Sequence, residues 1–253
     1  MSSSPLPIVY LPGGGGRSFF WRPVADRLWR HGAPIVLGYP GFGDVPADPS
    51  LRSLSELHAA VLAILPPRFH LVAQSMGNVI ALRAAIEHPA RVASLVLCAV
   101  SGGIDVRGLG GAEWRESLSA EQPSAPTWFI DDRSDFTEHL PSIRVPTLVL
   151  SGDRDPLSPV AVGELLRARI PMAQLQVVAG GSHGMAYDEP DRVASPIAAF
   201  RRESSPDRDR RLGRLLGPSQ AHRRGAVLRQ IAHFGDVLEQ ELDLFVRRIR
   251  RLP

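Results

Sequence analysis

The chain predicts an α/β fold, a mostly parallel, doubly wound sheet with helices on both faces. Three observations carry this. Six short runs are rich in Val, Ile and Leu with little polar alternation, at 8–11, 35–37, 69–73, 93–100, 147–150 and 175–179. Strands that are apolar on both sides suit a parallel sheet covered by helices. Longer segments with helical spacing lie between or after them, at 19–30, 54–65, 76–87, 159–168 and 190–202. Repeated β-α units wind such a sheet through right-handed crossovers. Finally, 253 residues with 44% apolar and 22% charged content suffice for one sizeable core. That composition excludes a disordered chain and a membrane protein.

Two regions depart from the rhythm. Residues 102–145 open with Gly102-Gly103 and contain Pro123, Pro126 and Pro141, together with Trp114, Trp128, Phe129 and Phe136. A segment this long without a clear strand is an insertion or lid rather than an ordinary connection. The domain is thus expected at 1–202, followed by an Arg-rich linker and helical tail at 203–253. In that tail, apolar residues recur at 227, 231, 234, 238, 242, 245 and 249, which is helical spacing.

Charge follows the same division. The net charge is +3, yet residues 1–200 carry 16 Arg against 19 acidic residues, and residues 201–253 carry 13 Arg against 7. The tail's readings are docking on its own domain, pairing with a second copy as a homodimer, contact with a membrane surface or anionic partner, and an appendage unrelated to catalysis. Nucleic acid is not an expected partner, because the tail lacks a recognisable motif and the rest is mildly acidic. All 29 basic residues are Arg. The absence of Lys excludes Schiff-base chemistry and a P-loop. The N-terminus has no basic region before its short apolar run, so a cytoplasmic location is expected. The single cysteine, Cys98, sits in the apolar run 95–100 and reads as a buried thiol. No metal or organic cofactor is expected.

The chemistry concentrates at strand ends. The run Phe69-His70-Leu71-Val72-Ala73-Gln74-Ser75-Met76-Gly77 is a strand entering a helix through a serine, with small residues two before and two after it. A nucleophile on a tight strand-to-helix turn needs that spacing because the backbone there is crowded and strained. The helix start aims its amides at the site, making the Met76 N–H an oxyanion donor. A base is required, and His183 follows the last predicted strand in Gly180-Gly181-Ser182-His183-Gly184. Ligand and catalytic residues of such sheets gather there. The remaining histidines lack that setting: His31 and His88 end helices, His58 lies on one, His70 begins a strand, His139 is in the insertion, and His222 and His233 are in the tail. Two acids, Asp153 and Asp155, follow the penultimate strand and could orient the base. The order is serine, acid, histidine, each at a strand end. The four glycines 13–16 could instead cradle a phosphate, but they lack the P-loop Lys and the Gly-x-Gly-x-x-Gly frame.

With these residues in place, the sequence resembles the α/β-hydrolase superfamily, in its esterase-like serine hydrolase branch, over about residues 6–200. The motif Gly152-Asp153-Arg154-Asp155 is similar to the family's Gly-x-x-Asp, which implies that Asp155 is the acid. Leu11-Pro12-Gly13-Gly14, with Trp21 further on, looks like the family's His-Gly loop and implies a second oxyanion amide on Gly14. Asp188-Glu189-Pro190-Asp191 resembles the family's last helix. There are departures. Pro12 stands for the usual His, Gly38 for the usual Asp before the second glycine loop, and the first strand corresponds to the family's third. The resemblance implies a Ser75–His183–Asp155 triad that attacks an ester or thioester of a small to medium acyl group, with water as co-substrate, as in carboxylesterases and thioesterases. Gly13, Trp21, Gln74, Trp114, Trp128, Phe129 and Phe136 are the expected pocket residues. Perhydrolase, carbon–carbon hydrolase and lyase chemistries share the triad and stay open, as does a non-catalytic binding protein on this fold.

Overall fold

Six strands form one sheet in the order β2-β1-β3-β4-β5-β6, and every pairing is parallel. They are β1 Ile8–Leu11, β2 Pro34–Val36, β3 Phe69–Gln74, β4 Val92–Cys98, β5 Thr147–Gly152 and β6 Ala173–Val178. This computed structural model describes residues 5–43, 45–121 and 126–204. The predicted tail, and with it the proposed dimer or membrane contact, lies outside the described residues.

The helices between the strands are α1 Arg22–Leu28, α2 Leu54–Ile64, α3 Gly77–Glu87, α6 Val160–Arg169 and α8 Pro190–Glu203, with short α7 at Met185–Asp188. Alternation along each strand splits the core into two layers. Val9, Leu11, Leu71, Ala73, Leu95, Leu97 and Val149 join α2, α3 and α6 on one face. Ile8, Tyr10, Val72, Val96, Cys98, Leu148 and Leu150 join α1, α7 and α8 on the other. Both faces are covered over the inner strands, which is why β1, β3, β4 and β5 show little polar alternation.

The expected strand at 93–100 stops at Cys98, because Ala99 turns into the left-handed region with φ 46°. The expected strand at 175–179 starts earlier, at Ala173. It pairs with β5 from Thr147 onward, and its outward Gln174 and Gln176 hide the apolar run at this sheet edge. The expected helix at 19–30 begins only at Arg22, after two turns closed by Phe20 N–H to Arg17 O and Arg22 N–H to Phe19 O. Within 102–145 lie two short helices, α4 Arg115–Glu121 and α5 Thr127–Ile130, and a 3₁₀ stretch at Thr137–Ser142. No described helix is long and apolar enough to cross a membrane.

The strand order reverses at β1. The chain leaves β1 toward β2 on one side and returns to add β3 on the other. Open α/β sheets place their ligands at such a switch point, beyond the carboxyl ends of the two strands. The Gly13–Gly16 loop follows β1 and Ser75 follows β3, so both flank that crevice.

Candidate active site

Ser75 has φ 55°, and Ala99 at 46° is the one other described non-glycine residue with positive φ. A side chain in that region costs about 1–2 kcal/mol, so surrounding bonds must hold it. The Ser75 N–H donates to Cys98 O at 3.0 Å. The amide of buried Asn78 donates to Ser75 O at 2.8 Å and to Cys98 O at 3.1 Å, stapling the elbow to the end of β4. The small residue at 77 is explained by crowding, since a Cβ there would lie 2.4 Å from Pro12 O. The glycine loop presses equally close. A Cβ on Gly13 would stand 2.2 Å from Gln74 Oε1 and 2.7 Å from Ser75 Cβ.

His183, after β6, meets Ser75 and is itself met by Asp155, after β5. Ser75 Oγ is 2.9 Å from His183 Nε2. His183 Nδ1 is 2.8 Å from Asp155 Oδ2 and 3.1 Å from Oδ1. Asp155 Oδ1 also accepts from the backbone N–H groups of Leu157 and Ser158 at 2.9 and 3.0 Å. Its side chain is wholly buried, whereas His183 keeps 23% of its side chain exposed. A carboxylate bound on both oxygens holds the imidazole with Nδ1 protonated and Nε2 as acceptor. Asp153 goes elsewhere, accepting from Gly180 N–H at 2.5 Å. That bond, with Arg154 N–H to Gly181 O at 3.0 Å, zips the acid loop to the histidine loop.

Around this cluster the expected residues divide. Gly13 and Gln74 are at the site; the Gln74 amide donates to His183 O at 3.2 Å. Met76 is buried directly after the serine. Gly14 lies under the 102–145 insertion, where a Cβ would meet Leu118 Cδ2 at 3.2 Å and Phe129 Cε1 at 3.5 Å. Phe129 is fully buried against Tyr39, Phe42 and Trp128. Trp114 and Trp128 are half-buried on the same core layer, with the Arg115 guanidinium over the Trp114 ring at 4.7 Å. Trp21 is not a pocket residue. It is fully buried in the opposite layer, beside Tyr10, and its indole N–H donates to Leu11 O at 2.8 Å. It anchors the end of β1 and hence the start of the glycine loop. Phe136, another expected pocket residue, joins the same core layer as Trp114 and Trp128. It packs on Gly103 and under the Arg83 guanidinium.

One site residue escapes the sequence reading altogether. Ser101, 4% exposed, places its Oγ 2.6 Å from Ser75 Oγ. Its one sequence signal is a hydroxyl just past a strand end, before two glycines. Cys98 is fully buried and the burial raises its thiol pKa, with the Asp155 charge adding to the effect, so it is no nucleophile. Among the described residues, one group has metal-ligand donors in reach of each other: His58, Glu87 and His88. It lies at the C-terminal end of α3, away from Ser75, and Glu87 already faces Arg83 at 3.5 Å.

Known proteins resemble this chain in sequence and fold. The pattern of the alpha/beta hydrolase family matches residues 8–110 and 103–195. The biotin biosynthesis bifunctional protein BioHC of Cellvibrio japonicus is 26% identical over 76% of this chain and 47% of its own length. RutD of Escherichia coli, by its name a carbamate hydrolase, is 25% identical over 76% of this chain and 91% of its own length. The chain therefore spans about half of the first relative and most of the second. A thermophilic esterase from Thermogutta terrifontis superposes with a TM-score of 0.66 at 22% identity, covering 80% of this chain and 91% of that one. The chain belongs to the alpha/beta hydrolase family.

Proposed function

We propose that the protein is a serine hydrolase that cleaves an ester or thioester of a small to medium acyl group through an acyl-enzyme. One observation carries this reading: the continuous line from Ser75 Oγ to His183 Nε2, 2.9 Å, and from His183 Nδ1 to Asp155 Oδ2, 2.8 Å. In the reaction, Ser75 Oγ attacks the acyl carbon while its proton passes to His183 Nε2. The carbonyl electron pair moves onto oxygen, where the Met76 and Gly14 amides receive it. His183 then returns the proton to the leaving group, and Asp155 keeps the ring in the correct tautomer. Water repeats the sequence on the acyl-enzyme. No step calls on a cofactor.

A fluorophosphonate probe tests this. The wild type should label stoichiometrically and Ser75→Ala not at all. A folded wild type that resists the probe would sink the acyl-enzyme reading. Esters and thioesters of graded chain length then rank the acyl group. Because the RutD match spans 91% of that protein, a carbamate belongs in the same panel. Faster turnover of the carbamate than of every ester would replace the ester reading.

A further inference from the structure

We propose that Ser101 is a positioning residue for Ser75: its hydroxyl donates into Ser75 Oγ and thereby aims the electron pair that attacks the substrate. This rests on the reading of Ser75 as nucleophile.

The direction of the bond follows from counting protons. Ser75 Oγ carries one proton and two lone pairs. Asp155 can only accept, so His183 Nδ1 bears the ring proton and Nε2 is bare. The Ser75 proton belongs on Nε2, 2.9 Å away. The 2.6 Å contact between the two serine oxygens then has one consistent polarity, with Ser101 donating and Ser75 accepting. Two of the three directions around Oγ are thus fixed, one by His183 and one by Ser101. The third, the remaining lone pair, is left for the acyl carbon. The opposite polarity would turn the Ser75 proton onto Ser101 and leave Nε2 with nothing to abstract.

The backbone is built to produce this contact. Both described non-glycine residues with positive φ, Ser75 and Ala99, belong to it. Ser75 turns the chain after β3, and Ala99 turns it after β4, two residues before Ser101. Asn78 binds the carbonyls of Ser75 and Cys98 together, so the two turns share one staple. The Ala99 N–H is held by Leu150 O at 3.0 Å. Gly102 lets the loop close on the elbow, since a Cβ there would lie 2.4 Å from Met76 Sδ. Two strained residues, one staple and one tight glycine converge on a pair of buried hydroxyls. Strain concentrated in this way marks an arrangement that the rest of the fold over-determines.

During attack the Oγ–C bond forms, the Ser75 proton moves to Nε2, and the carbonyl pair shifts to oxygen. The Ser101 proton stays on Ser101 throughout. Its contribution is orientation: with one lone pair of Oγ engaged by Ser101 and the Ser75 proton directed at Nε2, the other lone pair stays aimed at the acyl carbon.

The test is inactivation of the full chain by a fluorophosphonate, resolving the maximal rate from the binding constant, in wild type, Ser101→Ala and Ser101→Thr. Loss of this orientation predicts a maximal rate roughly 3–10-fold lower in Ser101→Ala, with binding unchanged. Ser101→Thr, which keeps the hydroxyl, should recover most of the rate. An unchanged rate in Ser101→Ala overturns the proposal. So does an equal fall in both variants, which would mark Ser101 as packing only. A wild type that never labels instead overturns the nucleophile itself, and the two failures are distinct.

Discussion

Ser75 holds a left-handed backbone that a free chain would avoid, and its neighbours explain how. Its N–H is bound to Cys98 O, its carbonyl to Asn78, and the residues at 13 and 77 lack a Cβ where one would collide. The predictions at this scale concern single atoms. Asp155→Asn keeps the shape of the carboxylate yet presents an N–H to His183, favouring the wrong tautomer. Turnover of a responsive ester should fall on the order of 10⁴-fold, with circular dichroism unchanged. A loss below tenfold would remove Asp155 from the orienting role. Gly13→Ala drives a methyl into Gln74 Oε1 and Ser75 Cβ, so labelling should slow well beyond any change in melting temperature. Equal slowing and destabilisation would mean the loop merely packs.

At the scale of elements, α3 links fold to chemistry. It starts at Gly77, directly after the elbow, and packs between β3 and β4 on one side and α2 on the other. Pro12 O leaves room for a hydrogen only, so Gly77→Ala must push the helix off the glycine loop. We expect a loss of about 1–3 kcal/mol in urea unfolding. An unaffected midpoint would show that the loop yields instead. The insertion matters through Phe129, which is fully buried and closes over Gly14. Phe129→Ala should cost about 3–5 kcal/mol, read in the same unfolding experiment. A loss under 1 kcal/mol would mean that α5 is only loosely seated.

For the whole molecule, acid is the clearest lever. Burial lowers the pKa of His58 to about 4, with the Arg83 and His88 charges adding to it. Burial likewise lowers that of His70 to about 3, with Arg201 and Arg68 adding. Both folded values lie below the unfolded value near 6.5, so the unfolded chain binds protons first as pH falls. Stability should therefore be full above about pH 6.5 and decline through pH 4 toward 3, by several kcal/mol in all. Urea midpoints at pH 7 and pH 4.5 check this, and equal midpoints would refute it. Much of this molecule was legible in the chain itself. Apolar runs without alternation announced buried parallel strands, and small residues around Ser75, an acid pair after β5 and His183 after β6 announced a site at strand ends. Those signals are local, because each reports the immediate crowding or burial of its own segment. The tertiary structure decided what depends on distant neighbours. Asp155 rather than Asp153 reaches His183, as the Gly152-x-x-Asp155 motif implied, and the structure adds the reason: the acid and histidine loops zip in one register. Trp21 joins the layer of α1, α7 and α8, held there by Tyr10 and by its bond to Leu11 O. Ser101 meets Ser75 because two strained turns from separate strands share Asn78, a contact between residues 26 positions apart that no local pattern records.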